Sequence, residues 1–568
     1  MADCSRRGRT VHHLVLVCCV ITGAAAPVAG QVRRVTVDID SKHQTIEGWG
    51  ASMIFWDLAN TPYQQPAWRR AYRDLGLNIL RINIAKEVLR DRSGDLRVPV
   101  HLESSVASNI AKMSFSNEKT RVFAEMARWL RKNALEPDRV KITGSVWSPP
   151  HWMKGPTGFT QFHVTAPTTK KKTPWLSEGN SGDSIGGRLL QTPDNLEQFG
   201  RYLVAWIRGF EDHFGIPIYG LSIQNEVSFE NPFDSTTYAK GADGRESQWW
   251  QYAAALKAVK DEFRGHGVQT RIMGPHVAHV GQTPSNPWGL LHQTSYIAAV
   301  KAHPDAELID FVWSYNCNGY LDVDEAAVKM WAAYYRGKDA VPGNWARWAK
   351  APGVAADGKP TWVSEAGGEM GTWLAGPNHT PGKGAITVAQ KIHNALVHAN
   401  VSAYLYWLLS DNNDLETGET LLGKRHVAEP MASKKYSAFK HFSRYIRPGA
   451  TRIGATFANG TSSAGGSSPY DTLHGLNVSA FLHDTDHELT MIFVNMRPSV
   501  ERVRVAFPKV IGIKQLFAYV TTEDESFASR GAIRVVDEEA ALTVPPYAVV
   551  TLHGRTAAAT ATGPGSAQ

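Results

Sequence analysis

Two stretches of the chain decide which fold is expected: residues 219–230, YGLSIQNEVSFE, and residues 360–370, PTWVSEAGGEM. In each, a short β-like run ends in a carboxylate, Glu226 in the first and Glu365 in the second. In a parallel barrel the carboxyl ends of all strands open on the same rim, where side chains point into a common mouth. The two carboxylates would then share one cleft.

On both sides of these two stretches, from about residue 45 to 410, short apolar runs alternate with helical patterns. We expect strands at Thr45–Met53, Asn78–Ile84, Val140–Val146, Ile218–Ile223, Arg271–Gly274, Ile309–Trp313, Thr361–Val363 and Ala403–Leu408. The helical patterns between them include Thr120–Lys132, Leu196–Phe214, Ser247–Phe263 and Thr387–Ala399. Eight strands separated by helices favour an α/β fold, a (β/α)8 TIM barrel, over the alternative of an open doubly wound sheet.

Beyond Pro448 short segments divided by turns predict an associated antiparallel β-sandwich domain. Its expected strands include Leu489–Asn495, Val503–Phe507, Ile533–Val536 and Ala548–His553, joined by the strand-like Val32–Ile39. The predicted domains are a signal peptide over 1–30, a sandwich strand over 31–42, the barrel over 43–440, the sandwich over 441–555 and a flexible tail over 556–568. A long stretch without periodicity, 153–195, is expected to be a lid or an insertion, and its role stays open.

The first 30 residues have the pattern of a secretory signal. Three arginines precede an apolar run, Leu14–Ala26, that is short for a membrane span and ends in small residues. We therefore expect a secreted or periplasmic protein without stable membrane insertion; an N-terminal membrane anchor is the alternative. Three of the 4 cysteines fall in this segment, so that Cys317 alone would remain and no internal disulfide could form.

Composition narrows the class of protein. Of 568 residues, 43% are hydrophobic and 20% are charged, which excludes a disordered or collagen-like chain. The net charge of +7 is not gathered into long basic runs, so no nucleic-acid partner is expected. We expect the protein to be a monomer. The 18 tryptophans often lie beside Pro, Gly, Ser or Asn, which suits a sugar-binding cleft as well as a core.

Paired carboxylates across a cleft can divide the roles of acid and nucleophile when their environments push their pKa values apart. A single Glu is more often a surface or ion-paired residue. Two such residues at strand ends, with Asn, Trp and Ser as neighbours, favour the catalytic interpretation. His276 and His279 in HVAH lack the glutamate of a zinc-binding helix, so we expect them to be structural and expect no metal site.

The chain resembles glycoside hydrolase family 30, whose members are retaining barrel glycosidases. The matching stretches are IEGWGAS at 46–52, LNILRINI at 77–84, VWSPPHWMK at 146–154, SIQNE at 222–226, WVSEAG at 362–367, YLYWLL at 404–409 and KKYSAFKHFSRYIRPGATRI at 434–453. They occur in the family's order across nearly the whole chain after the leader.

Carried across residue by residue, the resemblance implies that Glu226 is the acid/base and Glu365 the nucleophile. Asn225 would donate to the sugar 2-hydroxyl, and Arg81 would keep Glu365 ionised or else pair in the barrel floor. Among Trp49, Trp147, Trp152, Trp313 and Trp407, we select Trp147 and Trp407 as sugar platforms. Tyr315 is expected to hydrogen-bond the nucleophile from the sixth strand. No cofactor is implied.

The sequence departs from the family near the substrate. Val227 follows SIQNE where relatives often have Pro, and VWSYNCNGY at 312–320 lacks the His common on the sixth strand. Glucuronoxylan-specific relatives grip a uronate with an Arg after the eighth strand, whereas SDNNDLETGET at 410–420 is acidic and would repel it.

The sequence therefore predicts a secreted retaining β-glycoside hydrolase whose substrate is a carbohydrate. We expect it to be endo-acting on a plant or microbial cell-wall polysaccharide: xylan, β-1,6-glucan or β-1,6-galactan. An exo-acting β-glycosidase or a glucosylceramidase is the alternative within the class. A non-catalytic carbohydrate-binding protein is the alternative outside it.

Overall fold

The computed structural model describes residues 32–53, 66–89, 98–154, 187–227, 235–236, 238, 249–277, 290–319, 348, 354, 357–374, 384–410, 420–423, 426, 428–464 and 474–557. The predicted signal peptide, most of the 153–195 insertion, His279 and the acidic residues 411–419 lie outside these ranges, as does most of the predicted tail. Among the helices in the described ranges, none is both long and apolar enough to cross a membrane.

A closed parallel barrel follows strand β1 (Arg33–Thr45), which belongs to a second sheet. The barrel strands follow one another in chain order and are β2 (Gly48–Met53), β3 (Ile79–Asn83), β4 (Lys141–Ser145), β5 (Gly220–Ser222), β6 (Arg271–Val277), β7 (Val312–Asn318), β8 (Thr361–Glu365) and β9 (Ala403–Ser410). β9 pairs with β2, with Gly48 opposite Ala403, and this pairing closes the barrel. The predicted TIM barrel is confirmed, and the open sheet is excluded.

The sixth barrel strand is the least well predicted. The apolar pattern predicts Ile309–Trp313, but Leu308–Phe311 forms a short helix and the strand runs from Val312 to Asn318. The apolar run marks only the start of the strand. Its later part contains Ser314, Asn316 and Asn318, which are buried polar residues that an apolar pattern does not detect.

Helices surround the barrel. They are α1 (Pro66–Leu75), α2 (Val106–Ala111), α3 (Glu118–Asn133), α4 (Pro193–Phe214), α5 (Trp249–Gly265), α6 (Leu290–Lys301), α7 (Leu308–Phe311), α8 (Ile386–His398) and α9 (Lys434–Ser443). α4 shows how the sequence sets such bounds. Thr192 caps it by accepting a hydrogen bond from the Asn195 backbone N–H at 3.3 Å, Pro193 opens the first turn, and Gly215 ends it with φ 69°.

The barrel interior has an apolar floor and a polar mouth. Ile79, Met273, Trp362, Ala403 and Leu405 pack together as the floor. Side chains alternate along a strand, so Ile79 and the residue two positions on, Arg81, share the inner side of β3. The apolar one fills the floor, and the charged one lies higher, at the mouth.

The second sheet has nine strands and joins residues from both ends of the described chain. The next strand along the chain, β10 (Thr420–Leu422), is not part of this sheet and pairs in parallel with β9 of the barrel. The strands that accompany β1 in the second sheet are β11 (Thr451–Phe457), β12 (Leu476–His483), β13 (Glu488–Asn495), β14 (Glu501–Ala506), β15 (Gln515–Thr521), β16 (Ala528–Arg534), β17 (Glu539–Val544) and β18 (Ala548–Arg555). Their order is β16-β15-β18-β13-β12-β11-β1-β14-β17. All neighbours are antiparallel except β1 and β14, which run parallel, with Val35 opposite Val505.

Both faces of this sheet are buried in its middle. One face encloses an apolar cluster that includes Val35, Met491 and Leu552. On the other face, Ile492 and Val549 belong to the same apolar cluster as the barrel core. The contact between sheet and barrel is therefore a continuous apolar interface, which supports the barrel from the side of α8 and α9.

Candidate active site

Both predicted carboxylates lie at the carboxyl ends of barrel strands and are almost completely buried. Glu226, shortly after β5, is 6% exposed, and Glu365, the last residue of β8, is 4% exposed. Backbone hydrogen bonds fix the Glu226 segment on both sides, from Asn225 N–H to the Val146 carbonyl at 2.7 Å and from Val227 N–H to the His276 carbonyl at 2.9 Å.

The backbone of Glu226 is itself strained. Its φ is 52°, in the left-handed region that residues other than glycine rarely occupy. Strain of this kind costs on the order of 1–3 kcal/mol and persists where the surroundings enforce it, typically at functional sites. The two backbone hydrogen bonds beside Glu226 supply that constraint.

Arg81 connects the predicted residues. One guanidinium nitrogen donates to Glu365 Oε2 at 2.7 Å, and the other donates to Asn225 Oδ1 at 2.6 Å. The same two nitrogens also reach Ser52 Oγ at 3.3 Å and Ser145 Oγ at 3.2 Å. Arg81 therefore lies at the mouth beside Glu365 and not in the floor. Its buried ion pair favours the ionised form of Glu365, the form that a nucleophile requires.

Arg81 also contacts one of the two tryptophans selected from the sequence, and the second packs against the first. Its guanidinium carbon lies 4.5 Å from the centroid of the Trp147 ring, within the range of a cation–π interaction. The rings of Trp147 and Trp407 are 6.0 Å apart and tilted by 46°. They are only 1% and 5% exposed, so they form part of the mouth's inner wall. Their role as sugar platforms stays a prediction.

Other aromatic candidates lie elsewhere. The prediction for Tyr315 is wrong, because its hydroxyl donates to Asp357, which precedes β8, and not to Glu365. Trp49 is also not at the mouth, since its indole N–H donates to the Ile446 carbonyl at 2.6 Å. Trp313 packs with Tyr219 and Trp362 at the barrel floor.

Three side chains near the carboxylates, Asn318, His276 and Ser364, are not among the predicted site residues. Asn318 donates through Nδ2 to Glu226 Oε1 at 2.9 Å. His276 Nε2 lies 2.6 Å from Asn318 Oδ1 and 2.9 Å from the hydroxyl oxygen of Ser364, the residue before Glu365. The signal in the sequence is the polar end of the sixth strand, where Asn316 and Asn318 follow the apolar run.

Burial lowers the pKa of His276 to about 3, and the nearby charge of Arg81 adds to the effect. The ring is therefore neutral under ordinary conditions. Within the described residues, no group of three or more His, Cys, Asp or Glu side chains is arranged to hold a metal ion.

A second buried ion pair lies on the segment that follows Glu365. Lys391 Nζ on α8 is 2.5 Å from Glu369 Oε1, and it also donates to the Gly367 carbonyl at 2.8 Å. The Tyr406 hydroxyl donates to Glu369 Oε2 at 2.7 Å. Burial alone would raise the pKa of Glu369, but Lys391, Tyr406 and the charge of Lys435 together hold it below the usual value. This cluster anchors the segment that follows Glu365.

Comparison with known proteins places this fold. No family model matches the chain. An endo-1,6-β-D-glucanase of Neurospora crassa is 23% identical over 338 residues, which are 57% of this chain and 62% of that relative.

Among solved structures, a family 30 endoxylanase from Clostridium papyrosolvens superposes with a TM-score of 0.59 at 19% identity, covering 92% of this chain and 100% of the other. Xylanase C from Talaromyces cellulolyticus, through its catalytic domain, gives 0.60 at 17% identity with the same coverage. An endo-β1,6-glucanase gives 0.57 at 16% identity, covering 92% and 94%.

The architecture is thus that of barrel glycosidases with an attached β-sheet domain. More narrowly, it is the fold of glycoside hydrolase family 30, and the resemblance read from the sequence is confirmed at the level of the fold.

Proposed function

We propose that the chain is a retaining β-glycoside hydrolase and that it acts within a cell-wall polysaccharide. The observation that carries the proposal is the single guanidinium of Arg81, which bridges Glu365 and Asn225, the residue next to Glu226. This bridge ties the two predicted carboxylates into one buried cluster at the mouth. Two carboxylates in one cleft are the machinery of this reaction.

In the proposed reaction, Glu365 attacks the anomeric carbon while Glu226 protonates the departing glycosidic oxygen. Glu226 then removes a proton from a water molecule, which displaces Glu365 and releases the sugar. Retaining enzymes hold their carboxyl groups about 5–5.5 Å apart for this purpose. Asn225 is placed next to Glu226 and oriented by Arg81, as a group that contacts the 2-hydroxyl must be.

We infer an endo mode and rank the substrates by the comparisons. A sequence relative and a structural neighbour are endo-1,6-glucanases, and other neighbours are xylanases. β-1,6-glucan is therefore the first substrate to test, followed by xylans and β-1,6-galactan. Export through the N-terminal segment belongs to the same proposal, since these polymers lie outside the cell.

The proposal is tested with purified protein on this panel together with aryl β-glycosides. We expect Glu365→Gln to reduce turnover on the preferred substrate by at least about a thousandfold, because the amide cannot form the glycosyl-enzyme intermediate. The control is Glu211→Gln on α4, a half-exposed residue whose nearest cation is Arg208 at 3.7 Å. It should keep full activity.

Near-normal activity of Glu365→Gln would remove the nucleophile assignment. A protein that binds a polysaccharide but cleaves no member of the panel would instead favour the non-catalytic alternative. Release of single sugars from chain ends, without internal cuts, would favour the exo-acting one.

A further inference from the structure

Glu226 is connected to a buried imidazole through one amide. Asn318 Nδ2 lies 2.9 Å from Glu226 Oε1, and Asn318 Oδ1 lies 2.6 Å from His276 Nε2. Asn318 and His276 are almost fully excluded from solvent. Three consecutive barrel elements are involved, because Glu226 follows β5 while His276 and Asn318 lie on β6 and β7.

The hydrogen bonds fix where the protons lie. Since Asn318 directs Nδ2 at Glu226, its Oδ1 needs a donor, and the partner in reach is His276 Nε2. The neutral ring therefore carries its proton on Nε2. The opposite tautomer would set two lone pairs against each other and bury an N–H at Nδ1, an atom without a hydrogen-bond partner among the described residues.

The ring donates without adding a charge to the site. Burial first, and then the nearby charge of Arg81, lower the pKa of His276 to about 3, so the ring is neutral near neutral pH. A neutral donor orients Asn318 without placing a further charge near Glu226. The ionisation of Glu226 then depends on the nearby Glu365, Arg81 and Asn318.

The same ring atom also touches the strand that carries the other carboxylate. Ser364 Oγ lies 2.9 Å from His276 Nε2, and the Ser364 hydroxyl faces the Cys317 carbonyl at 3.4 Å. Ser364 immediately precedes Glu365. His276 Nε2 thus contacts Ser364, the residue beside Glu365, directly and reaches Glu226 through Asn318. This arrangement restrains the spacing between the two carboxylates.

We propose that Asn318 and His276 are positioning residues that orient Glu226, an inference that rests on the proposed function. Asn318 occupies Oε1 throughout, so the exchangeable proton resides on Oε2. In the first half-reaction that proton passes to the glycosidic oxygen, which keeps the electron pair of its broken bond to the anomeric carbon while Glu365 bonds to that carbon. In the second, Oε2 accepts the proton of the attacking water.

The first test replaces the donor without changing its size. Asn318→Asp puts a carboxylate oxygen where Nδ2 faced Glu226. A second negative charge beside Glu226 disfavours its ionised form, so Glu226 holds its proton more tightly. We expect the midpoint of Glu226 protonation to rise by about one pH unit or more. This midpoint is measured by a pH titration with ¹³C NMR of protein labelled at the glutamate side-chain carboxyl carbon. The Glu226 signal is identified by its loss in Glu226→Gln.

The matched control is Asn316→Asp on the same strand. Asn316 is equally buried, and its Oδ1 accepts from Ser314 Oγ at 2.9 Å. This variant should leave the Glu226 midpoint unchanged. In active protein, the basic limb of the kcat/KM profile should move with the NMR midpoint in Asn318→Asp and stay in place in the control.

A second pair of variants tests His276. His276→Gln retains an N–H that can donate to Asn318, whereas His276→Leu does not. We expect the leucine variant to lose about tenfold or more in kcat/KM on substrates with poor leaving groups, which depend on protonation, and less on activated aryl glycosides. The glutamine variant should recover most of that loss, and thermal melts of both variants check folding.

An unchanged Glu226 midpoint in a folded Asn318→Asp protein would overturn the positioning role. Equal losses in His276→Gln and His276→Leu on all substrates would do so as well. If the wild-type protein hydrolyses no glycoside and the NMR midpoint still shifts in Asn318→Asp alone, the proposed function fails while the orientation of Glu226 by Asn318 stands.

Discussion

Arg81 is the residue on which the polar contacts of the mouth converge. Its guanidinium serves Glu365, Asn225 and two serine hydroxyls, and it lies over the Trp147 ring. A lysine carries the same charge but is a point donor without the planar fork, so it cannot hold Glu365 and Asn225 together.

We therefore predict that Arg81→Lys lowers kcat/KM by about a hundredfold, the scale of a small misplacement of reacting groups. Steady-state kinetics on the preferred substrate measure it, with circular dichroism as a check on folding. Arg121→Lys on α3 is the control, because its ion pair with Glu125 is exposed and 3.8 Å long. Equal activity of the two variants would show that the bridge does not matter.

At this scale the sequence predicted the residues that stand in short contiguous motifs. Asn225 and Glu226 are adjacent, and Arg81 follows its strand pattern. The prediction for Tyr315 failed because its hydroxyl donates to Asp357, a residue that precedes the strand carrying Glu365. The contact of His276 with Asn318 joins residues 42 positions apart, and no local pattern reports such a pair.

Among the elements, the segment after β8 depends most on buried charge. Lys391 on α8 and Glu369 form an ion pair with almost no solvent exposure, and Tyr406 on β9 completes it. Removing one partner of such a pair leaves the other charged and buried, which typically costs about 3–5 kcal/mol.

We predict that Lys391→Met lowers the free energy of unfolding by that amount, measured by chemical denaturation. Adding Glu369→Gln to it should restore part of the loss, because the buried carboxylate that has lost Lys391 is then replaced by a neutral amide. Lys257→Met on α5 is the control, since Lys257 and its partner Asp261 have side chains that are 32% and 57% exposed, and losing this ion pair should cost less than about 1 kcal/mol. Equal costs for the two single variants would show that burial of the Lys391–Glu369 pair does not set its contribution to stability.

The eight barrel strands were predictable because each is a short apolar run between helical patterns. Their exact ends were not, as the sixth strand shows, since polar residues that face the mouth continue a strand without an apolar signal. The parallel pairing of β1 with β14 was also beyond the sequence pattern. It depends on where the chain re-enters the sheet after forming the barrel.

For the whole molecule, the buried histidines predict sensitivity to acid. Burial lowers the pKa of His276 and His441 to about 3 and of His398 and His553 to about 4. These rings are neutral in the folded state, whereas in the unfolded chain they take up protons below about pH 6.5. Stability is therefore present above pH 6.5 and is lost as the pH falls toward 4.

Each such histidine contributes a slope of about 1.4 kcal/mol per pH unit across that window. Chemical denaturation at pH 7.5, 6 and 5 measures the total. His441→Gln should reduce the slope by the contribution of one histidine, because the amide cannot be protonated. The amide can still reach the two threonine hydroxyls that the ring contacts. Stability that is constant or rising between pH 6.5 and 5 would contradict the prediction.

A double displacement by Glu365 and Glu226 retains the configuration of the anomeric carbon. Proton NMR of the sugar released in the first minutes of hydrolysis of a β-linked substrate, before the anomers equilibrate, measures that configuration. We predict that the β-anomer appears first and the α-anomer only later, by mutarotation. Appearance of the α-anomer first would show a single displacement with inversion and would contradict the assignment of Glu365 as the nucleophile.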